Sequence, residues 1–432
     1  MNMNVSVLDY GAIGDGITND GKAIQSAIDA CYKSGGGKVI LPSGRTYISS
    51  SLVLKSNVEF HVETGAVLKA SSNLRDFNLF NLNIDYNQEL DIPSYSKCDY
   101  DGRPFLYFIY AEHGENISIS GQGKIDGNEE IFYGKKSQYQ IDGKFYPRMP
   151  LVYFEDIKHV SIKDITLQRS AFWTLHLIGC KDVLIDRIRI LNNLLLTNCD
   201  GIDPDHCQDV RISNSYIQCA DDGIVLKNTE HYRKYGPVEN VSVVNCDIVS
   251  TSGAIKFGTE SVDDFKNIIV SSCNIHNTNR GITIQLRDGG KMENCIFSNL
   301  NISTRAFSKI NWWGAGEPIN ITALKRNEKS KLSEIKHLIF NNINCDCENG
   351  ILIKGEDNNI SDIKFNQVYL NLSNKSKWQK NIKDFRPYYK DEFEEGKINC
   401  LYIREAKNID TSNLFYTVDD SLSDQVEELD IK

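Results

Sequence analysis

Four carboxylates stand close together near the middle of the chain. Asp200 and Asp203 lie in the run Asn198-Cys-Asp-Gly-Ile-Asp, and the pair Asp221-Asp222 follows about twenty residues later. Like charges held close raise one another's pKa and cost stability, so this clustering needs a reason. Acid/base catalysis is one reason, because glycoside hydrolysis requires one protonated and one ionised carboxyl. Turn chemistry is the alternative, since Asp before Gly is favoured at the corners of a solenoid.

Composition excludes several classes of partner. The 432 residues are 41% hydrophobic and 25% charged, as in a soluble globular protein. The net charge of −10 and the lack of a Lys/Arg run predict no nucleic-acid partner. No apolar stretch approaches the roughly 18 residues of a membrane span, so no membrane partner is expected either.

The cysteines and the first residues bear on location. Most of the 12 cysteines are scattered singly in strand-like segments, which favours reduced thiols. Only Cys345 and Cys347 are close, and two thiols alone make a poor metal site, so we expect neither a metal nor a cofactor. The first residues do not resemble a signal peptide, and we expect a cytoplasmic protein, or a secreted or periplasmic one if such a peptide has been removed.

One pattern recurs along the chain: a polar residue, an apolar one, any residue, a second apolar one and a polar corner. The spacing between copies is mostly in the twenties of residues, which predicts one coil of a parallel β-helix per copy. Alternation then places Ile or Val inside and polar residues outside. An antiparallel sandwich, the alternative, would need hairpin turns, and these are few. The copies begin at Asn116, His159, Asp182, Asp209, Asn240, Asn267, Asn294, His337 and Asp362.

We predict an all-β chain whose single β-helix domain spans residues 1–432. Residues 1–60 form an N-terminal cap and the first coils, and residues 61–375 form the main solenoid. Insertions at about 80–148 and 303–336 are rich in aromatic residues, which suit the apolar faces of sugars. Residues 376–432 form a C-terminal extension, whose acidic end from Asp419 onward is expected to fray. A short capping helix is predicted from the spacing of Ala23, Ile24, Ala27, Ile28 and Cys31 before the Gly35 triplet.

The carboxylate motifs resemble glycoside hydrolase family 28, which contains polygalacturonases and rhamnogalacturonan hydrolases. The matching residues are Asn198-Cys-Asp200, Asp221-Asp222 and the run Ser170 to His176, while the opening Val7-Leu-Asp-Tyr-Gly resembles the cap of pectate-lyase-like proteins. The resemblance implies a right-handed parallel β-helix that hydrolyses α-linkages of pectic, uronate-containing glycans with inversion. If the protein is cytoplasmic, it also implies exo action on imported oligosaccharides. It assigns Asp221 as general acid and Asp200 and Asp222 as the carboxylates that activate water.

The sequence departs from the polygalacturonase pattern at two places. Where a Gly-His-Gly element is expected, it reads Ser252-Gly253-Ala-Ile-Lys256, and Thr283 and Gln285 stand where an Arg-x-Lys pair is expected. These departures favour a rhamnogalacturonan-like over a plain galacturonan substrate. Lys256 should pair with Asp222 or bind a substrate carboxylate, with a pair to Glu260 as the alternative. Arg280 and Arg287 suit bidentate recognition of carboxylates. The full set of expected substrate-binding residues is Asn198, His176, Lys227, Lys256, Arg280, Gln285 and Arg287.

Two other functions remain open. A polysaccharide lyase on the same fold would use Asp200, Asp222 and Lys256 for calcium binding and proton abstraction, and its product would be unsaturated. A non-catalytic glycan-binding β-helix is the other possibility, although binding alone does not need crowded carboxylates.

Overall fold

The computed structural model describes residues 3–84, 86, 104–143, 148–309 and 311–431. Residues 85, 87–103 and 144–147 of the predicted insertion 80–148 therefore lie outside the described residues. Contacts divide the chain into two compact units, Met1–Gln218 and Cys219–Lys432. That the whole chain forms a single domain stays a prediction.

Short strands in parallel pairing build the first unit, and one antiparallel pair, β10 with β11, stands beside them. The strands are β1 (Met3–Ser6), β2 (Asp15–Asn19), β3 (Gly37–Leu41), β4 (Thr46–Ser49), β5 (Leu52–Val53), β6 (Val58–Val62), β7 (Val67–Ala70), β8 (Ile109–Ser120), β9 (Lys124–Asp126), β10 (Tyr133–Lys136), β11 (Ile141–Gly143), β12 (Val152–Lys163), β13 (Thr166–Gln168), β14 (Leu175–Ile178), β15 (Lys181–Asp186), β16 (Arg189–Leu191), β17 (Ile202–Asp205), β18 (Gln208–Ser213) and, at the boundary between the units, β19 (Tyr216–Cys219).

The second unit repeats this construction, again with one antiparallel pair, β32 with β33. Its strands are β20 (Ile224–Asn228), β21 (Val238–Val244), β22 (Asp247–Ser250), β23 (Gly253–Ser261), β24 (Phe265–Ser271), β25 (Asn274–Thr278), β26 (Arg280–Leu286), β27 (Lys291–Thr304), β28 (Ile319–Ala323), β29 (Glu334–Cys347), β30 (Ile351–Lys354), β31 (Ile360–Leu372), β32 (Ile382–Asp384), β33 (Phe393–Glu395), β34 (Leu401–Arg404), β35 (Ala406–Asp410), β36 (Leu414–Val418) and β37 (Leu429–Ile431).

The repeated polar residue is the corner of each coil. All nine of the repeat's first residues have left-handed backbone, from φ 54° at Asn116 to φ 60° at His159. Asn and Asp tolerate this conformation because their short side chains bond the local backbone. The apolar positions then stack in register, as Ile162, Ile185 and Ile212 do in the first unit. The predicted parallel β-helix is confirmed.

The predicted capping helix is also present, as α1 (Gly21–Lys33), with Ile24, Ala27, Ile28 and Cys31 buried along one face. The first strand, β1, ends at Ser6. A 3-10 turn follows Ser6 because the Ser6 hydroxyl accepts a hydrogen bond from the Leu8 amide at 3.2 Å. The 3-10 helices are Val7–Tyr10, Leu74–Phe77, Glu129–Phe132, Glu230–Tyr235 and Asp420–Gln425. Among the described helices, none combines the length and apolar character needed to cross a membrane.

Coils continue through segments that the sequence pattern treats as additions. Strands β8 and β9 lie within residues 80–148, and β28 lies within residues 303–336. The end of the chain does not fray as expected, because β37 pairs with β34 through Leu401 and Leu429. A strand as short as β37 contains too few alternating apolar and polar residues to be predicted from its own sequence.

Candidate active site

In the first unit, buried polar side chains fix the loop that carries Asn198 and Asp200. Arg148, fully buried, donates from Nη2 to the Asn198 Oδ1 at 2.7 Å and from Nη1 to the carbonyl of Thr197 at 2.6 Å. The Thr174 hydroxyl donates to the Asp200 carbonyl at 2.7 Å. Asn198 itself has left-handed backbone, φ 56°, which turns the chain before Asp200. Because the backbone is held on both sides, the direction of the buried Asp200 carboxylate is set by the fold.

His176 lies in an aromatic and acidic setting in the same unit. It stands in register with Tyr153 on β12 and with Asp203 on β17, so these three side chains point to the same side of the sheet. Its ring meets the ring of Trp173 edge to face at 4.6 Å, and Nε2 is 3.8 Å from the Asp205 Oδ2. The imidazole is fully buried. His176 therefore packs within the sheet face that the Asp203 strand continues.

In the second unit, three donors hold Asp222. Lys256 Nζ lies 2.6 Å from Oδ2, while the Ser252 hydroxyl and the Gly253 amide donate to Oδ1 at 3.0 and 3.1 Å. Of the two pairings expected for Lys256, the structure has the one with Asp222. An oxygen that accepts from an ammonium is poorly placed to donate a proton, so this carboxylate suits the role of a base.

Gly253 lies close to the Asp222 carboxylate. A Cβ there would lie 3.1 Å from the Asp222 Oδ1 and 3.3 Å from the Thr283 Oγ1. The Lys256 ammonium also occupies the position next to Asp222 Oδ2. The donor set around this carboxylate therefore suits acid/base chemistry, and the absence of a metal cofactor stays a prediction.

Asp221 has a different environment from its neighbour. Its residue is only partly buried, whereas Asp222 is 2% exposed. The Ser250 hydroxyl donates to the Asp221 carbonyl at 2.6 Å and fixes the backbone there. Two adjacent carboxyls with unequal burial are an arrangement that can separate an acid from a base.

Lys227 pairs with Glu260 rather than facing open solvent. Its Nζ lies 3.2 Å from the Glu260 Oε2, and Arg326 approaches Oε1 at 3.7 Å. Burial alone would raise the pKa of Glu260, but the charges of Lys227, Arg326 and Lys256 outweigh it and lower the pKa to about 2. These cations and Glu260 form one charge network close to Asp222.

An aromatic platform with two cations lies next to the Asp222–Lys256 pair. Lys256 Nζ is 5.7 Å from the centre of the Trp313 ring, and the Arg386 guanidinium carbon is 5.4 Å from it. Arg386 also donates to both oxygens of Asp384, at 2.9 and 2.6 Å. Arg386 was not predicted from the sequence, because residues 376–432 have no pattern that links them to the carboxylates.

Arg280 is expected to bind substrate, but the structure gives it other partners. It is 1% exposed and bonds Glu317 at 3.2 Å and the Asp384 carbonyl at 2.8 Å. Burial would lower its pKa, yet the charges of Glu317 and Asp384 raise it. These contacts tie the Glu317 segment to the Asp384 segment, and they do not fit contact with a substrate.

Gln285 and Arg287 are likewise covered. Gln285 donates to the Arg386 carbonyl at 3.2 Å. Arg287 is fully buried and donates to the carbonyls of Pro387, Phe385 and Thr322 at 2.6, 3.0 and 3.3 Å. Burial and the charge of Arg326 lower its pKa to about 9. The expectation that Gln285 and Arg287 contact substrate does not fit, since both side chains anchor the segment around residues 385–387.

The comparisons with known proteins agree with this site. The model of "Glycosyl hydrolases family 28" matches residues 54–390, and "Rhamnogalacturonase A/epimerase, pectate lyase-like" matches residues 4–97. This chain belongs to glycosyl hydrolase family 28. The family 28 match covers β6 to β32, including every carboxylate discussed above, and identifies the chain as a glycoside hydrolase with a carbohydrate substrate.

Individual relatives of this family 28 chain are distant. It is 26% identical over 328 residues to "Probable polygalacturonase" of Vitis vinifera, covering 72% of this chain and 63% of that one. It is 23% identical over 371 residues to "Endo-polygalacturonase" of Pectobacterium carotovorum subsp. carotovorum, covering 83% and 86%. The fold is similar to that of an "Exopolygalacturonase from Thermotoga maritima", with a TM-score of 0.70 and 20% identity over 95% of this chain and 92% of that one.

Proposed function

We propose that this family 28 glycoside hydrolase cleaves α-linkages in pectic oligosaccharides that contain uronates, by single displacement with inversion. Asp221 acts as general acid on the glycosidic oxygen, and Asp200 and Asp222 activate the attacking water. The rhamnogalacturonan type of substrate is favoured over plain galacturonan, and exo action over endo action. The named polygalacturonases among the relatives support the pectic class of substrate.

The partners of Asp222 support its role as a base. It accepts hydrogen bonds from Lys256, Ser252 and Gly253, whereas the partly buried Asp221 is accessible to a substrate oxygen. A base needs its carboxylate form before the reaction, and an acid needs access to the leaving group. Lys256 thereby acts as a positioning residue where polygalacturonases carry a histidine.

One observation carries the choice of a uronate: Lys256 and Arg386 lie on the same Trp313 ring, beside the charged Asp222. The chain as a whole is acidic, with a net charge of −10, and would repel a polyanion without such a local concentration of cations. A sugar ring that stacks on Trp313 would bring its carboxylate within reach of these cations. Arg386 is a better candidate for this contact than Arg280 or Arg287.

The test is to incubate wild-type protein and Asp221→Asn separately with galacturonan and rhamnogalacturonan oligosaccharides. Reducing ends report hydrolysis, and the absorbance of an unsaturated uronate reports lyase chemistry. We expect new reducing ends without absorbance from the wild type and about a hundredfold or greater loss in the variant, since an acid group contributes about 10²–10⁴ in rate.

Product analysis of the same reactions separates the remaining possibilities. Release of a single short product from the earliest times would support exo action, and a ladder of lengths would contradict it. Absorbance would replace the hydrolase with a lyase. If neither signal arises from any pectic substrate, the uronate proposal fails, and a neutral glycan or binding alone becomes the better account.

A further inference from the structure

A groove with a volume of about 690 Å³ lies on a sheet of the second unit other than the one that carries Lys256. Its floor is formed by β22, β25, β36 and the later parts of β27, β29 and β31. We call this the Asn301 groove. Six exposed side chains follow one another in register along it: Asp247, Asn274, Asn301, Asn344, Tyr369 and Phe415. At about 4.8 Å between strands, this row spans roughly 24 Å, which suits an extended chain rather than a single small molecule.

Two aromatic rings form one end of the row. Tyr369 and Phe415 are 48% and 47% exposed, and their rings stack at 5.1 Å between centroids with 19° between planes. The apolar surface of such rings is costly to leave in water, and pairs of exposed aromatics are uncommon without a ligand. Flat apolar rings match the C–H faces of sugars, which have polar groups around their edges.

Amide side chains form the middle of the row. The Asn301 amide donates to the Asn274 Oδ1 at 3.2 Å, and the Asn344 amide donates to the Asn301 Oδ1 at 3.4 Å. Each amide group has two N–H donors, and this ladder uses one donor of Asn301 and one of Asn344. The other donor of each amide can bind a hydroxyl. A regular series of donors along a groove fits a polymer with regular hydroxyls.

The charge of the groove selects among glycans. Asp247 and Asp346 line it, and among the described lining residues there is no Lys or Arg. Lys375 lies beside the groove, but its Nζ pairs with the Asp346 Oδ2 at 2.9 Å and donates to the Ser303 hydroxyl at 3.1 Å. The lining therefore keeps the negative charge of Asp247, and a polyuronate would meet a like charge here, in contrast to the surroundings of Lys256 and Arg386.

We propose that the Asn301 groove is a second carbohydrate-binding site, which holds a neutral oligosaccharide chain. Its sugars stack on Tyr369 and Phe415, and their hydroxyls bond the Asn274–Asn301–Asn344 amide ladder. The site does not depend on the proposed hydrolysis, and it would hold a neutral glycan close to an enzyme that cleaves charged ones.

The site can be tested by calorimetry on the Asp221→Asn protein. The probes are neutral galacto-, arabino- and xylo-oligosaccharides. We expect saturable binding of at least one of these probes and no comparable binding of oligogalacturonides to the groove. Replacing Tyr369 and Phe415 together by Ala in this background should weaken that binding by at least about tenfold. Tyr32→Ala is the matched control, because Tyr32 is also 48% exposed but lies on helix α1.

Two results would overturn the proposal. One is that no neutral probe binds, or that the double variant binds as well as the control. The other is a concentration-dependent dimer in sedimentation analysis that the double variant abolishes, since the groove would then be an interface between copies of the chain. Hydrolysis of uronic substrates by the double variant in an otherwise wild-type protein should be unchanged, which separates this site from the catalytic one.

Discussion

At the scale of single residues, Lys256 has the contacts that matter most for the proposed mechanism. Its ammonium touches the Asp222 carboxylate at 2.6 Å, lies over Trp313 and contributes to the low pKa of Glu260. A histidine in this place would be smaller in reach and charged only at lower pH. The lysine therefore gives Asp222 a direct ion pair at 2.6 Å.

Replacing Lys256 by Met should lower kcat by about a hundredfold, because Asp222 loses its closest donor while the side chain keeps its length. The measurement is steady-state hydrolysis of the substrate identified above. Lys256→Arg restores a cation and should recover part of the activity, whereas a purely structural role would predict no such recovery. Equal activity of Lys256→Met and wild type would show that Asp222 does not need this partner.

Gly253 offers a second test at the residue scale. The methyl group of Gly253→Ala would stand 3.1 Å from Asp222 Oδ1, so the carboxylate must move. A displaced base should reduce kcat between about tenfold and a hundredfold, with little change in thermal stability. Gly396→Ala is the control, because its new methyl would meet only the far end of the long Lys383 side chain, at 3.2 Å. A variant with full kcat would contradict the assignment of Asp222 as a base.

At the scale of elements, buried ion pairs hold two connecting segments against the sheet. Arg280 on β26 joins Glu317, which precedes β28, to Asp384 at the end of β32. These segments carry Trp313 and Arg386. The segments that carry Trp313 and Arg386 in the proposed substrate site are therefore held by the buried contacts of Arg280.

Removing one partner of this pair should be costly. Arg280→Met would leave Glu317, 1% exposed, buried without its cation, and should lower the free energy of unfolding by about 3–5 kcal/mol. Adding Glu317→Leu should regain part of this loss, since an apolar pair tolerates burial. Arg211→Met, which breaks an exposed pair with Asp182, should cost no more than about 1 kcal/mol. Denaturant titration of the four proteins decides whether burial makes the difference.

The Glu260 network predicts a dependence of stability on pH. The pKa of Glu260 is about 2 in the folded protein, below the ordinary value of 4.5. The ion pairs of Glu260 therefore stabilise the folded protein fully above pH 4.5, and this stabilisation is lost as the pH falls toward 2. Glu260→Gln should therefore flatten the decline of the thermal midpoint between about pH 5 and pH 2. Glu328→Gln, at an exposed position in the loop after β28, should leave the decline as in wild type. If the thermal midpoint declines equally with pH in wild type, Glu260→Gln and Glu328→Gln, the proposed contribution of Glu260 is wrong.

At the scale of the whole molecule, columns of identical side chains hold successive coils together. In the second unit Phe297, Phe340 and Phe365 stand in register, with ring centroids 4.8 and 5.0 Å apart and nearly parallel planes. The Phe340 ring lies between the ring of the preceding coil and the ring of the following coil. Stability in such a fold is close to a sum over neighbouring coils.

Phe340→Ala should therefore create a cavity between two coils and cost about 3–5 kcal/mol. Ile339→Ala, at the adjacent residue whose side chain is 41% exposed, should cost less than about 1 kcal/mol. Denaturant unfolding compares the two. A small loss in Phe340→Ala would mean that the column is not a main source of cohesion between the coils.

The sequence by itself determined the coil, because its causes are local. Asn or Asp at a left-handed corner and alternating Ile or Val specify strand and turn within a few residues, so the parallel β-helix, α1 and the carboxylate motifs were all predictable. The sequence also limited the expected partners of Lys256 to Asp222, Glu260 and a substrate carboxylate. Only the tertiary structure decided among them, and only it showed that Arg280, Gln285 and Arg287 are covered.

The physical reason is distance along the chain. Arg280 bonds Asp384, and Arg287 bonds Phe385 and Pro387, about a hundred residues further along the chain. No local pattern in residues 376–432 predicts these contacts. The same holds for Arg386 on Trp313 and for Arg148 on the Asn198 loop. Periodicity fixes which way a side chain points, but which charged group becomes buried depends on the segment that folds over it, and that is settled only in three dimensions.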